Sequence, residues 1–235
     1  WSLDDDNGAD DWQWYRQRTW LWFDAQPVES AKAYVRLSNE SRWGDSLEEN
    51  TLSAAGGRNA QSVYGNKQTF VESAYIDYTL PGAQDIKLRL GRQGMIYGEG
   101  FVILDGMPYV GSTGLAFDAL KATWKVDDKT SVDVFTGKYQ EGREAINDDQ
   151  DLYGVYVTSS IVEDHRGEFY VLYKDKKSEA YYTLGDPAEG DPAMLDPKQE
   201  TWTVGTRWTG GIIENLTYAG EIAAQGGKLY DDDGN

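Results

Sequence analysis

The sequence predicts an all-β protein, a transmembrane antiparallel up-and-down β-barrel, on three observations. Apolar and polar residues alternate with period two along most of its 235 residues, the links between these stretches alternate between short and long, and aromatic residues mark both ends of the apolar face. No apolar run approaches the ~20 residues a membrane helix needs, so any bilayer crossing has to use strands.

The first stretch, DDWQWYRQRTWLWFD over residues 10–24, sets four tryptophans beside two arginines. At period two, Tyr15, Thr19, Leu21 and Phe23 share one face. Arg16, Arg18 and Asp24 share the other with Trp12, Trp14, Trp20 and Trp22. One face suits an apolar medium and the other a wet one. The next stretch opposes Ala31, Ala33, Val35 and Leu37 to Lys32, Tyr34, Arg36, Ser38, Glu40 and Arg42. In FVESAYIDYTL the apolar face holds Phe70, Ala74, Ile76, Tyr78 and Leu80, and in IKLRLG it holds Ile86, Leu88 and Leu90 against Lys87 and Arg89. ALKATWK opposes Leu120, Ala122 and Trp124 to Lys121, Thr123 and Lys125, and SVDVFTGKY opposes Val132 and Val134 to Asp133 and Phe135. LYGVYVTSS, GEFYVLYKD, ETWTVGTRW and LTYAGEIAAQ bring the total to about ten strands, with no helix among them.

QPVE, PGAQD, VDDKT, VEDHRG and TGGIIEN are short, turn-like links, and between them lie the longer segments 44–66, 98–113, 140–150 and 176–199. Tight turns at one end and long loops at the other are the pattern of an up-and-down membrane barrel, whereas Greek-key links in a soluble sandwich have no reason to alternate. Phe23, Tyr78, Trp124 and Trp208 precede short turns, and Tyr15, Trp43, Phe70, Tyr173 and Trp202 lie near the long loops. Amphipathic rings at both levels are what two bilayer interfaces select. If the short turns are periplasmic, both termini are extracellular, so residues 1–235 are expected to be an internal part of one larger outer-membrane barrel domain.

A net charge of -18 argues against a nucleic-acid partner, whose phosphates need a basic patch, and the absence of cysteine excludes disulfide scaffolds and thiolate metal sites. The acid concentrates in predicted loops, at Asp4, Asp5, Asp6, Asp10 and Asp11, Glu48 and Glu49, Asp148 and Asp149, Glu189 and Asp191, and Asp231 to Asp233. Basic residues dominate the polar parity of the strands: Arg16, Arg18, Lys32, Arg36, Arg42, Lys87, Arg89, Lys121, Lys125 and Arg207. The acids counted on that parity are fewer, at Asp24, Glu40, Asp77, Asp133 and Glu221. A basic lumen concentrates anions, and arginine suits carboxylates through paired hydrogen bonds. The expected solutes are therefore anionic saccharides or small anions; the competing reading is that these residues brace the wall by cross-strand ion pairs.

LRLGRQGMIYGEG followed by GSTGLAFDALKATW resembles the alginate-export family of outer-membrane proteins. The shared features are Gly91, Arg92 and Gln93 at a strand end, the Tyr97-Gly98 step, Thr113 and Gly114, and the Phe117-Asp118 pair opening the next strand. The resemblance implies an eighteen-stranded barrel with an electropositive pore that passes the polyuronate alginate to the cell surface, with a periplasmic export partner. The stretch EGFVILDGMPYVG after Gly98 is more apolar than the family pattern at its constriction loop.

Enzymatic chemistry is not expected. The single histidine, His165, sits in the turn EDHRG, away from any serine in a nucleophile context, and GRQGMIYGEG lacks the Gly-Lys-Ser/Thr ending of a phosphate loop. DDDNGADD misses EF-hand spacing, so no cofactor is expected beyond divalent cations at acidic outer loops facing lipopolysaccharide. The sequence is read as a passive porin of the bacterial outer membrane, in contact with outer-membrane lipid and lipopolysaccharide. A scaffold barrel that houses or anchors a partner protein at the cell surface is the second reading, and a soluble β-sandwich the third.

Overall fold

The computed structural model describes residues 15–43, 69–104, 116–139, 150–177, 179–181 and 194–230. Ten strands form one antiparallel sheet in which each neighbour in sequence is a neighbour in space. They are β1 (Tyr15–Val28), β2 (Ala31–Trp43), β3 (Thr69–Leu80), β4 (Ala83–Gln93), β5 (Phe117–Lys125), β6 (Thr130–Tyr139), β7 (Gln150–Ser159), β8 (His165–Lys176), β11 (Gln199–Ile213) and β12 (Leu216–Leu229). A separate two-stranded hairpin, β9 (Glu179–Tyr181) with β10 (Met194–Asp196), lies in the segment expected as a plain loop. No helix occurs among the described residues, and β1 and β12 are the two edges of the sheet. The short links of the sequence all join hairpins, from β1–β2 to β11–β12.

Register follows the period-two pattern. Leu21 faces Leu37, Phe23 faces Val35, Leu90 faces Leu120, and Val134 faces Val155. These side chains form an open face on which Leu21, Phe23, Ile76, Leu90, Val155 and Ile222 are all exposed. Tyr78, Trp124 and Trp208 mark its short-turn end, and Tyr153 and Trp202 the other. Trp20 and Trp22 fall on the opposite parity, opposite Ser38 and Arg36, as the first stretch of the sequence implies.

One assignment is reversed. β2 and β3 change register between Arg36 opposite Ser73 and Leu37 opposite Val71, so Glu72 is the extra residue of a β-bulge. Because one inserted residue flips every side chain beyond it, Val71 takes the open-face position and Phe70 falls opposite Ser38 on the other side.

The second face is covered by residues 94–104, the chain between β4 and β5. Met95 and Ile103 from this segment are buried against Phe117, Phe135, Leu152, Tyr156, Tyr170 and Leu172. Gly98 packs against Arg207 of β11 and Glu221 of β12. The segment thus runs across this face from β4 to β11 and β12.

Candidate functional site

The covered face carries the charged line. Asp77 of β3 faces Arg89 of β4, whose guanidinium donates from Nε to Oδ1 at 2.6 Å and from Nη2 to Oδ2 at 2.9 Å. Lys87 Nζ reaches Oδ2 of the same carboxylate at 2.9 Å. Two cations thus share one buried acid, and this part of the wall keeps one surplus positive charge. Arg89 also lies 3.9 Å over the ring of Tyr75, which stacks on Tyr34. Nearby, Lys32 pairs with Asp24 at 2.8 Å, and Arg36 pairs with Glu72 at 2.9 Å.

Further along, Lys121 stands 3.9 Å from Asp133. Asp133 is held more closely by Thr123 Oγ1 at 2.6 Å and by the Tyr97 hydroxyl at 2.8 Å. Tyr97 lies between two rings of the wall, 4.2 Å from Tyr156 and 5.4 Å from Phe135 between centroids. Burial, and then the Asp133 carboxylate, push the Tyr97 phenol well above its ordinary range, so it remains a donor. Tyr97 thus fastens the covering segment to the face through both stacking and a hydrogen bond.

A second cluster surrounds Arg207. Its Nη2 donates to Glu99 Oε1 at 2.7 Å, while Glu168 Oε2 lies 3.5 Å from Nη1 and Glu221 Oε2 lies 3.9 Å from Nε. The two wall carboxylates have nearer donors. Glu168 accepts from Tyr156 at 2.6 Å and Arg166 at 2.7 Å, and Glu221 accepts from Tyr170 at 2.8 Å.

The structure therefore brings Lys32, Arg36, Lys87, Arg89, Lys121 and Arg207 onto carboxylates. Lys125 is exposed opposite Ser131. Arg18 faces Glu40 in the register and lies 5.6 Å from the Trp20 ring. Arg16 and Arg42 are register partners whose side chains lie outside the described residues. The acids missing from the sequence count are Glu72, Glu99 and Glu168. Glu72 depends on the bulge and Glu99 on how the covering segment folds. Glu168 shares parity with Tyr170 and Leu172 and was legible in principle, but apolar rings on both faces of β8 blur the alternation there.

The motif residues around Gly91 join β4 to β5. Arg92 faces Asp118 and donates to both its oxygens, at 2.9 and 2.8 Å, on the open face. Gln93 faces Phe117 on the covered face, both wholly buried, and its amide donates to Ala119 O at 3.0 Å. Gly91 has φ +124, and a side chain there would run into the backbone of Ala74. Thr113, Gly114 and the acidic-loop residues named for divalent cations lie outside the described residues, as do Trp12 and Trp14. His165 occupies the first position of β8, with Nδ1 2.8 Å from Glu163 O. No cluster of three or more metal-ligating side chains occurs among the described residues.

No protein-family model matches the chain, and no curated protein matches it.

Proposed function

We propose that this chain forms part of the wall of a bacterial outer-membrane porin, set in lipid and lipopolysaccharide by its open face, with the covered face lining a passive route for anionic solutes. The observation that carries this reading is the pairing of two unlike faces on one sheet. One is exposed, apolar and bordered by aromatic rings at both ends; the other is lined with charge. Contiguous exposed apolar surface of this extent costs about 25 cal/mol per Å² in water and nothing comparable in hydrocarbon. Anions are favoured over cations because Lys87 and Arg89 share only Asp77, and because arginine and lysine side chains recur along the route. Acidic polysaccharide such as alginate, handed over by a periplasmic export partner, is the solute class that the motif resemblance suggests. The wall is a conduit in this reading, not an enzyme.

The second reading is a scaffold barrel that houses or anchors a partner protein. It draws on a specific observation: six of the candidate cations end on carboxylates, and residues 94–104 pack across the face they line. Ion selectivity of the full-length protein in a planar bilayer, with polyuronate added to one side, separates the two. The porin reading expects anion-selective current that polyuronate blocks. A closed or cation-selective barrel would hand the account to the scaffold reading.

A further inference from the structure

We propose that Glu99 is a built-in stand-in for a solute carboxylate: it occupies the free edge of Arg207, and a uronate binds there by displacing it. This rests on the reading of the covered face as a solute route and names a site on that route.

Of the three carboxylates around Arg207, only Glu99 makes a short hydrogen bond, at 2.7 Å; the others stand at 3.5 and 3.9 Å. Glu168 and Glu221 belong to the wall and are fixed by Tyr156, Arg166 and Tyr170. Glu99 belongs to the covering segment, and its side chain is 76% exposed while that of Arg207 is 12% exposed. An ion pair with one end in water contributes little, so its exchange for another carboxylate is cheap. The charges agree with such an exchange. Arg166 and Arg207 against Glu168 and Glu221 sum to zero, and Glu99 adds one negative charge that an incoming uronate would replace like for like.

The backbone is built to let the tip move while its base stays. Tyr97 is held by its ring stacking and by Asp133, and Ile103 is buried. Tyr97 N donates to Ile103 O at 3.2 Å and Gly100 N donates to Tyr97 O at 3.0 Å, which closes residues 97–103 into a small loop with Glu99 near its apex. Glu99 sits between Gly98 at φ +60 and Gly100 at φ +82, two positions with wide backbone freedom. Gly98 also lets the loop approach closely, because a methyl group there would stand 3.0 Å from Arg207 Cδ.

A tethered carboxylate competes at an effective concentration of about millimolar, so a monomeric uronate binds weakly and an oligouronate, with several carboxylates, binds better. The test is calorimetric titration of the full-length protein in detergent with sodium glucuronate, with glucose as the neutral control. Wild type is expected to bind glucuronate in the millimolar range and not glucose, and Glu99→Gln to bind it about tenfold more tightly. Gly98→Ala, which pushes the loop from Arg207, is expected to tighten binding as well, and Arg207→Lys to weaken it in either background. Equal glucuronate affinity in wild type and Glu99→Gln, or no binding by either, overturns the proposal. Bilayer conductance keeps the two readings apart. Anion-selective current with glucuronate binding indifferent to Glu99 removes the site and leaves the porin, whereas Glu99-dependent binding without current removes the porin and leaves the site.

Discussion

Arg89 grips Asp77 with two parallel hydrogen bonds, at 2.6 and 2.9 Å, across directly paired positions of β3 and β4, and Lys87 shares the same carboxylate. One acid thus serves both as a brace between strands and as the limit on local positive charge. The two roles separate on substitution. Asp77→Asn is expected to lower stability by about 2 kcal/mol, because it strands two cations on a partly buried wall, and at the same time to raise anion selectivity. Arg89→Ala also destabilises but lowers selectivity. Urea unfolding together with reversal potentials in a salt gradient reads both effects. If selectivity moves in the same direction for both variants, the cations at this site do not set the field of the route.

Tyr97→Phe removes the hydroxyl that fastens residues 94–104 to Asp133 and is expected to cost about 1 kcal/mol. The pH dependence has a definite sign. Since the folded phenol's pKa is raised above its unfolded value of about 10, the stabilisation is fully present below that pH and is lost as pH rises beyond it. The difference between wild type and Tyr97→Phe should therefore be flat from neutral pH to about 10 and shrink above. A difference that grows with alkalinity would mean that Tyr97 ionises readily in the fold.

Arg92 and Asp118 hold β4 to β5 at the long-loop end of the open face. Each single change to Ala is expected to destabilise, and the double-mutant cycle to return a coupling of about 1 kcal/mol. A coupling near zero would leave the motif with no strand-joining role.

The open face yields a direct energetic contrast. Val155→Arg is expected to cost about 2–4 kcal/mol when the protein folds into lipid vesicles, since Val155 lies midway along β7 on its exposed face. The same exchange on a water-facing surface stays within about 0.5 kcal/mol. A small effect in vesicles would revive the soluble sandwich.

The ten strands, the alternation of their links and the sidedness of Leu21, Phe23, Leu90 and Trp124 were legible because period two is a local property of the chain. The position of Phe70 was not, because the bulge at Glu72 arises from how two strands pair and leaves no mark in either alone. The charge line was half legible. Parity places Arg89, Lys121 and Arg207 correctly, but their partners come from outside their own strands, and Glu99 reaches Arg207 across 108 residues of sequence. The packing of residues 94–104 on the covered face rests on Met95, Tyr97 and Ile103; only Ile103 belongs to the stretch after Gly98 whose apolar character stood out in the sequence, and that character did not show where the stretch packs.

The chain's lack of cysteine makes the central claim, that one face meets lipid and the other water, open to a clean scan. Single cysteines at residues 87–90 and 120–125 of the full-length protein in vesicles would be spin-labelled and their collision rates with oxygen and with a water-soluble nickel complex compared. The account predicts a period of two, with oxygen favoured at Leu88, Leu90, Leu120 and Ala122, and nickel favoured at Lys87, Lys121, Thr123 and Lys125. Nickel access equal at both sets of positions would contradict it.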